Sequence, residues 1–277
     1  MKYVSYLRDG RATYGHVEDG LVSDLAALPG APADLKAAIA LGMLGVLKAE
    51  ADLALDSVKL LPVVPDPTKI FCVGHNYETH RQETGRAKVS YPSIFLRFVD
   101  TLIADGDEIV RPNNSTSLDY EGELAIVIGK GGRHIAEAEA MRHVAGFCCA
   151  NDASVRDWQW HTTQFAPGKN FPATAPLGPW LVTPDEINDL AAVSVTTRLN
   201  GQVMQHATLA DLIFPLPTII AYLSGFTQLN PGDVILTGTP GGVGAKREPP
   251  VWMKPGDVVE VEIAGVGLLR NAIGQEA

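Results

Sequence analysis

Strand-length runs bounded by turn dipeptides, with no regular strand–helix alternation, constrain this 277-residue chain more than any other feature. Asp9-Gly10 and Asp19-Gly20 separate candidate strands at 2–8, 12–17 and 21–24, because such dipeptides supply the left-handed backbone of a tight hairpin. Residues 193–199 alternate apolar and polar and run into Asn200-Gly201, the strongest hairpin signal in the chain. Further strands are read at 57–61, 69–74, 93–97, 108–111, 122–129, 144–150, 233–237, 258–263 and 267–271. Helical spacing is confined to 32–49, 75–86, 135–143 and 211–224, and the Trp-, Pro- and Gly-rich stretch 151–180 reads as functional loop and helix. The sum predicts an α+β, mainly β fold with sheets folded over one another. A Rossmann sheet is rejected for want of βαβ alternation. Gly238-Thr-Pro-Gly-Gly242 resembles a phosphate loop but lacks the Walker spacing and its Lys-Ser/Thr ending.

Pro62-Val-Val-Pro65-Asp-Pro67 reads as a stiff extended linker. It divides a small N-terminal domain, 1–66, from a catalytic domain, 67–277. Apolar residues make up 46% and charged ones 19%, the proportions of an ordinary globular protein. The net charge of −10 repels phosphate backbones and argues against nucleic acid as a partner. No run of about 18 apolar residues exists to span a membrane, and the N-terminus lacks a signal-peptide core. Cys72, Cys148 and Cys149 are too few for a disulfide framework and read as buried small hydrophobes in a reducing compartment. A cytoplasmic location is expected.

The chemistry concentrates in a few segments. In Asp119-Tyr-Glu121-Gly-Glu123-Leu-Ala-Ile-Val-Ile, residues i and i+2 of a strand share a face, so Glu121 and Glu123 point together while Leu124, Ile126 and Ile128 fill the other side. Asp152, directly after an apolar strand, is placed to add a third carboxylate. Two carboxylates 4 Å apart repel by about 4 kcal/mol at an effective dielectric of 20, so one is protonated or a cation sits between them. Oxygen ligands without His or Cys favour Mg²⁺, Mn²⁺ or Ca²⁺ over Zn²⁺. In Asn76-Tyr-Glu-Thr-His80-Arg-Gln-Glu83, His80 and Glu83 are i, i+3 neighbours on a helix, a pairing that raises an imidazole's basicity and fixes its tautomer. Lys169, alone in an uncharged segment, is a candidate for stabilising an oxyanion. Asp152, Arg156 and Gln159 fall on one face if the segment is helical. There Arg156 is expected to hold a carboxylate, of a ligand or of Asp152 or Asp157. Thr237-Gly-Thr239-Pro-Gly-Gly offers amides and hydroxyls to an anionic group.

Together these segments resemble the fumarylacetoacetate hydrolase family. The resemblance rests on Cys72-Val-Gly-x-Asn76-Tyr77-x-x-His80-x-x-Glu83, Asp119-Tyr-Glu121-x-Glu123-Leu-Ala-x-Val-Ile-Gly129, Asn151-Asp152-x-Ser-x-Arg156-Asp157-x-Gln159, Gly168-Lys169-x-Phe171 and Gly178-Pro-Trp180. It continues through Pro231-Gly-Asp-Val-Ile-Leu-Thr-Gly-Thr-Pro-x-Gly-Val-Gly244 and Lys254-Pro-Gly-Asp257, in the family's order across 69–273. The pattern is nearest to bacterial acylpyruvate hydrolases and 2-hydroxyhepta-2,4-diene-1,7-dioate isomerase-like members.

The resemblance implies a β-sandwich roll paired as a homodimer, with Mg²⁺ or Mn²⁺ held by Glu121, Glu123 and Asp152. It implies a water-activating dyad of His80 and Glu83 on a lid, Lys169 at the reacting carbonyl, and Arg156, Gln159 and Thr239 around the polar end of a small 2-oxo acid. The activity it implies is C–C hydrolysis of a β-diketone acid such as an acylpyruvate. Oxaloacetate-type decarboxylation, or isomerisation or hydration of 2-oxo dienoates from aromatic catabolism, stands as the alternative. A non-enzymatic metal-dependent scaffold is the remaining reading. Two departures stand out. Phe95-Leu-Arg97-Phe98 replaces the family's Phe-x-Lys-Pro, and the planar fork of Arg97 is expected to alter carboxylate recognition. The insert 157–165 brings Trp158, Trp160 and Phe165, expected to line a less polar pocket.

Overall fold

The computed structural model of the chain describes residues Met1–Ala277. Its centre is the strand Gly122–Ile128, buried at every position and flanked by Val144–Asn151, likewise buried throughout, and by Val234–Leu236. Alternation sends Leu124, Ile126 and Ile128 into one core and Ala125 and Val127 into another. A strand apolar on both faces must be covered on both, and two different layers do this.

The first cover is a five-stranded sheet, ordered Gln202–Thr208, Ser194–Leu199, Val258–Ile263, Gly267–Gln275 and Ile109–Arg111. Its Val195, Val261, Ile263 and Leu269 join Leu124, Ile126 and Ile128, together with the helix Leu216–Phe226, in one core of 27 residues. This face-to-face packing makes the expected mainly β sandwich. Asn200 and Gly201, at φ 52° and 80°, form the expected hairpin turn between Leu199 and Gln202.

The second cover is the N-terminal segment. Tyr3, Tyr14, Leu35 and Ile39 share a core with Ala125, Val127 and Cys148. The strands Lys2–Arg8, Arg11–Glu18 and Leu21–Asp24 form a meander, its turns at Asp9-Gly10 and Asp19-Gly20 all at positive φ. Hydrogen bonding does not stop at the 62–67 linker: Lys2 and Tyr3 pair with Val182 and Leu181, so the meander extends the central twelve-stranded sheet.

The strand that makes this join, Ala175–Val182, lies where loop and helix were expected. Pro176, Gly178 and Pro179 argue against a strand by composition. The segment is nevertheless buried and pairs with Val144–Asn151 through a register shift between Phe147 and Cys149. Helices are shorter than their spacing predicts. Within 32–49 only Leu35–Ala40 is helical, capped by Asp34 and ended by Gly42 and Gly45 at φ 66° and 80°. Within 75–86 only Glu78–Glu83 is α-helical, and Glu137–His143 is 3₁₀. No helix is long and apolar enough to cross a membrane.

Gly146 marks how closely the central strands approach, since an added Cβ would run into the carbonyl of Val182 and lie 2.9 Å from Leu181 Cγ. Gly146→Ala should destabilise the chain by about 1–3 kcal/mol, the usual cost of overpacking. Thermal unfolding checks this, and a melting temperature equal to wild type would contradict the Phe147–Val182 register.

Candidate active site

The site forms where two neighbouring strands end. Gly122 pairs with Asn151 and Glu123 with Ala150, so Glu121 and Asp152 lie just beyond the paired ends. The Asp152 amide donates to the Glu121 carbonyl at 2.8 Å, and the Glu121 amide to Asn151 Oδ1 at 2.9 Å. One register thus brings Glu121, Glu123 and Asp152 together, all buried, with oxygens within 4.8 Å of one another. An oxygen-only, acidic donor set of this size suits a hard divalent cation, and the three residues could hold one. Their geometry matches the sequence expectation.

Three cations, Lys169, Arg156 and Arg97, balance these acids. Lys169 Nζ donates to Glu121 Oε2 at 2.7 Å and to Asp152 Oδ2 at 2.5 Å. Arg156 lies 2.6 Å from Glu121 Oε1 and donates to Asp119 Oδ2 at 2.9 Å. Arg97 donates through Nε to Asp152 and through Nη2 to the Ala153 carbonyl. Burial would raise the Glu121 pKa, but Lys169 and Arg156 outweigh it and hold the group well below the usual carboxylate range. Glu123 has only the Gly238 amide as a donor, at 2.7 Å. Burial first, then Asp152 and Glu121, push its pKa well up.

Two expectations change here. Arg97 does not reach toward a ligand; its side chain is fully buried and anchors Asp152 from behind. Asp152 precedes the four-residue helix Arg156–Gln159, so it shares no helical face with them, and Arg156 pairs with Asp119 and Glu121 rather than with Asp152 or Asp157. All three Arg156 nitrogens engage protein groups, the third donating to Gln159 Oε1 at 2.8 Å. Thr239 lines the cavity while its hydroxyl donates to the Gly122 carbonyl at 3.0 Å and accepts from Gln205 at 2.8 Å.

Facing the acids across a cavity of about 120 Å³ stands His80. Its Nδ1 lies 2.6 Å from Glu83 Oε1. A carboxylate accepts, so Nδ1 carries the hydrogen, and in the neutral ring the lone pair lies on Nε2. Glu83 Oε2 in turn accepts from the Gly242 amide at 2.8 Å, and Thr79 Oγ1 from Gly241 at 3.1 Å, clasping the short helix to the glycine-rich turn. Trp160 and Phe165 line the cavity, as expected of the aromatic insert, while Trp158 packs on Phe171 outside it.

Four further residues of the site are given no role by the motifs above. Asp119, wholly buried, accepts from Gly244 and Ala245 at 2.8 and 3.0 Å as well as from Arg156. Its spacing of two from Glu121 was the available signal. His75, at φ 56°, stacks on His80 with centroids 5.1 Å apart, and burial lowers its pKa to about 4, so it stays neutral. Arg86 and Lys246 also line the cavity, and no local pattern marks them.

Titration with Mn²⁺ should raise the melting temperature of the metal-stripped protein, with about 2.7 kcal/mol of stabilisation at a hundredfold excess over Kd. Glu123→Gln should abolish that shift and leave the metal-free protein no less stable, since burial and the neighbouring acids already disfavour an ionised Glu123 there. An undiminished Mn²⁺ shift in this variant would exclude the three carboxylates as the cation site.

The profile of the fumarylacetoacetate (FAA) hydrolase C-terminal family matches residues 69–274. Human mitochondrial oxaloacetate tautomerase FAHD2A is 44% identical over 218 residues, covering 78% of this chain and 69% of that protein. Fumarylacetoacetate hydrolase from Exiguobacterium antarcticum superposes with a TM-score of 0.86 at 35% identity, over the whole of both chains. The 2-hydroxyhepta-2,4-diene-1,7-dioate isomerase of Mycobacterium marinum gives 0.81 at 29% identity, covering all of this chain and 99% of its own. With three quarters of its length matched by the family profile and its fold shared with these structures, the chain belongs to the fumarylacetoacetate hydrolase family.

Proposed function

We propose that this protein moves a proton on a compact 2-oxo acid of the oxaloacetate class, interconverting its keto and enol forms. The supporting observation is one small cavity lined by His80, Lys169 and the three carboxylates together. At about 120 Å³ it is well below the roughly 300–1,000 Å³ of sites for drug-sized ligands. The activity named for the human relative, oxaloacetate tautomerase, supports the same substrate class. Three buried free thiols support a reducing compartment, the cytoplasm in this reading.

Mg²⁺ or Mn²⁺ at Glu121, Glu123 and Asp152 would supply Lewis-acid stabilisation of negative charge on the 2-oxo carboxylate end. His80 Nε2 removes a proton from C3, and Glu83 stabilises the imidazolium that results. Charge then develops on the C2 oxygen, where Lys169 adds positive potential from the same wall. Transfer of the proton from the His80 imidazolium to that oxygen, directly or through one water, completes the enol and restores neutral His80; the reverse path restores the ketone. Arg97 and Arg156 orient Asp152 and Glu121, and Lys169 with Arg156 keeps Glu121 ionised.

Hydrolysis of an acylpyruvate is the second reading, and the His80–Glu83 contact favours it. The same Nε2 can take a proton from water as that water adds to the distal carbonyl, releasing a carboxylic acid and pyruvate. Oxaloacetate decarboxylation is distinguished from both by release of CO₂.

Metal-stripped protein should be assayed on oxaloacetate and acylpyruvates with and without Mg²⁺ or Mn²⁺, following enol absorbance and product mass. Metal-dependent keto–enol equilibration without a new mass supports tautomerisation. Pyruvate plus an acid would replace it with hydrolysis, and pyruvate plus CO₂ with decarboxylation. His80→Ala should lower kcat by about 10²–10⁴-fold while the Mn²⁺ melting shift persists. Unchanged turnover would remove His80 from the mechanism.

A further inference from the structure

The cavity carries two cations that the acidic cluster does not use. Arg86 follows the helix that bears His80, and Lys246 ends the turn Gly244–Lys246; both line the cavity and both are solvent-exposed. Neither takes part in an ion pair. The Arg86 guanidinium lies over the Phe165 ring, 5.5 Å from its centroid, a contact that positions the charge without neutralising it. Lys246 is held indirectly, since Asp119 accepts from the two preceding amides, Gly244 and Ala245. Two unpaired cations at one mouth are notable in a chain of net charge −10.

The charge balance inside says what they are for. Within the cluster, the buried acids Asp119, Glu121, Glu123 and Asp152 face the buried cations Arg97, Arg156 and Lys169. With Glu123 ionised on cation binding, four negative charges against three positive ones sum to −1, and the divalent cation makes this +1. One carboxylate of a 2-oxo acid brings the interior to neutrality. A second carboxylate finds no buried cation left and must meet its counter-charge at the mouth.

We propose that Arg86 and Lys246 form a carboxylate-reading rim that selects 2-oxo dicarboxylates over 2-oxo monocarboxylates of the same size. The inference rests on the 2-oxo acid reading above and adds the class of acid and the residues that choose it. It also moves carboxylate recognition from Arg97, which is buried behind Asp152, to two residues on the rim. The attraction is between partly solvated charges, so it weakens as ionic strength rises.

Oxaloacetate and acetylpyruvate test this directly, because they differ by one group: a distal carboxylate oxygen in the first is a methyl in the second. Equilibrium binding of each is measured by calorimetry on full-length Mg²⁺-loaded protein carrying His80→Ala to suppress turnover. Arg86→Gln, Lys246→Gln and the double substitution are added to that background. The expected preference for oxaloacetate falls about fivefold with either single change and about twentyfold with both, the range of partly exposed ion pairs. Each variant should keep the Mn²⁺ melting shift, showing a folded acidic cluster. A double variant that retains that shift and the original preference overturns the rim. If the parent binds both compounds equally, dicarboxylate selection itself is overturned. If the parent binds neither, the 2-oxo acid reading falls and the rim with it.

Discussion

The buried ionic cluster around Glu121 and Asp152 is the constraint on which the rest of the molecule depends. Taking a carboxylate or an ammonium out of water costs several kcal/mol even after relaxation. Four acids are carried into the interior here, and each of the three compensating cations comes from a different segment. Lys169 spans Glu121 and Asp152, Arg156 spans Glu121 and Asp119, and Arg97 holds Asp152 from the opposite side. Losing any one would strand a buried charge, typically at a cost of about 3–5 kcal/mol. The segments at 97, 119–123, 152–156 and 169 are therefore tied to one another by charge as firmly as by apolar packing.

The sandwich delivers those segments. Pairing of Gly122 with Asn151 places two acids at adjacent strand ends, and the parallel pairing of Val234–Leu236 with Ile70–Gly74 sets the glycine-rich turn beside the segment that leads to His80. The Gly238 amide binds Glu123 and the Gly242 amide binds Glu83, so one turn touches both walls of the cavity. That shared turn links the acidic cluster to the His80–Glu83 pair, which lies on a different element. No residue of the N-terminal meander or its helix lines the cavity. These elements cover the face of the sheet that Ala125, Val127 and Cys148 would otherwise expose.

Features governed by local rules were legible in the sequence. The i, i+2 geometry of a strand put Glu121 and Glu123 on one side, and the i, i+3 geometry of a helix put Glu83 beside His80. The Asp-Gly and Asn-Gly turns fell where their backbone preferences put them. Features governed by long-range pairing were not. Two prolines and a glycine hid the strand Ala175–Val182, because its hydrogen bonds are fixed by neighbours 30 and 180 residues away rather than by its own composition. Arg97 reads as a ligand-facing charge until Asp152, 55 residues on, is seen beside it. The short helices lost their ends to glycines in left-handed conformation and to the pull of tertiary contacts on the flanking turns.

The central claim is that three carboxylates from two strand ends form one cation site facing the His80–Glu83 pair. Crystals of the protein soaked in Mn²⁺ and measured at the manganese absorption edge test it most directly. The account predicts a single anomalous peak enclosed by Glu121, Glu123 and Asp152, on the cavity side that His80 faces. A peak elsewhere, or none at saturating Mn²⁺, would contradict it.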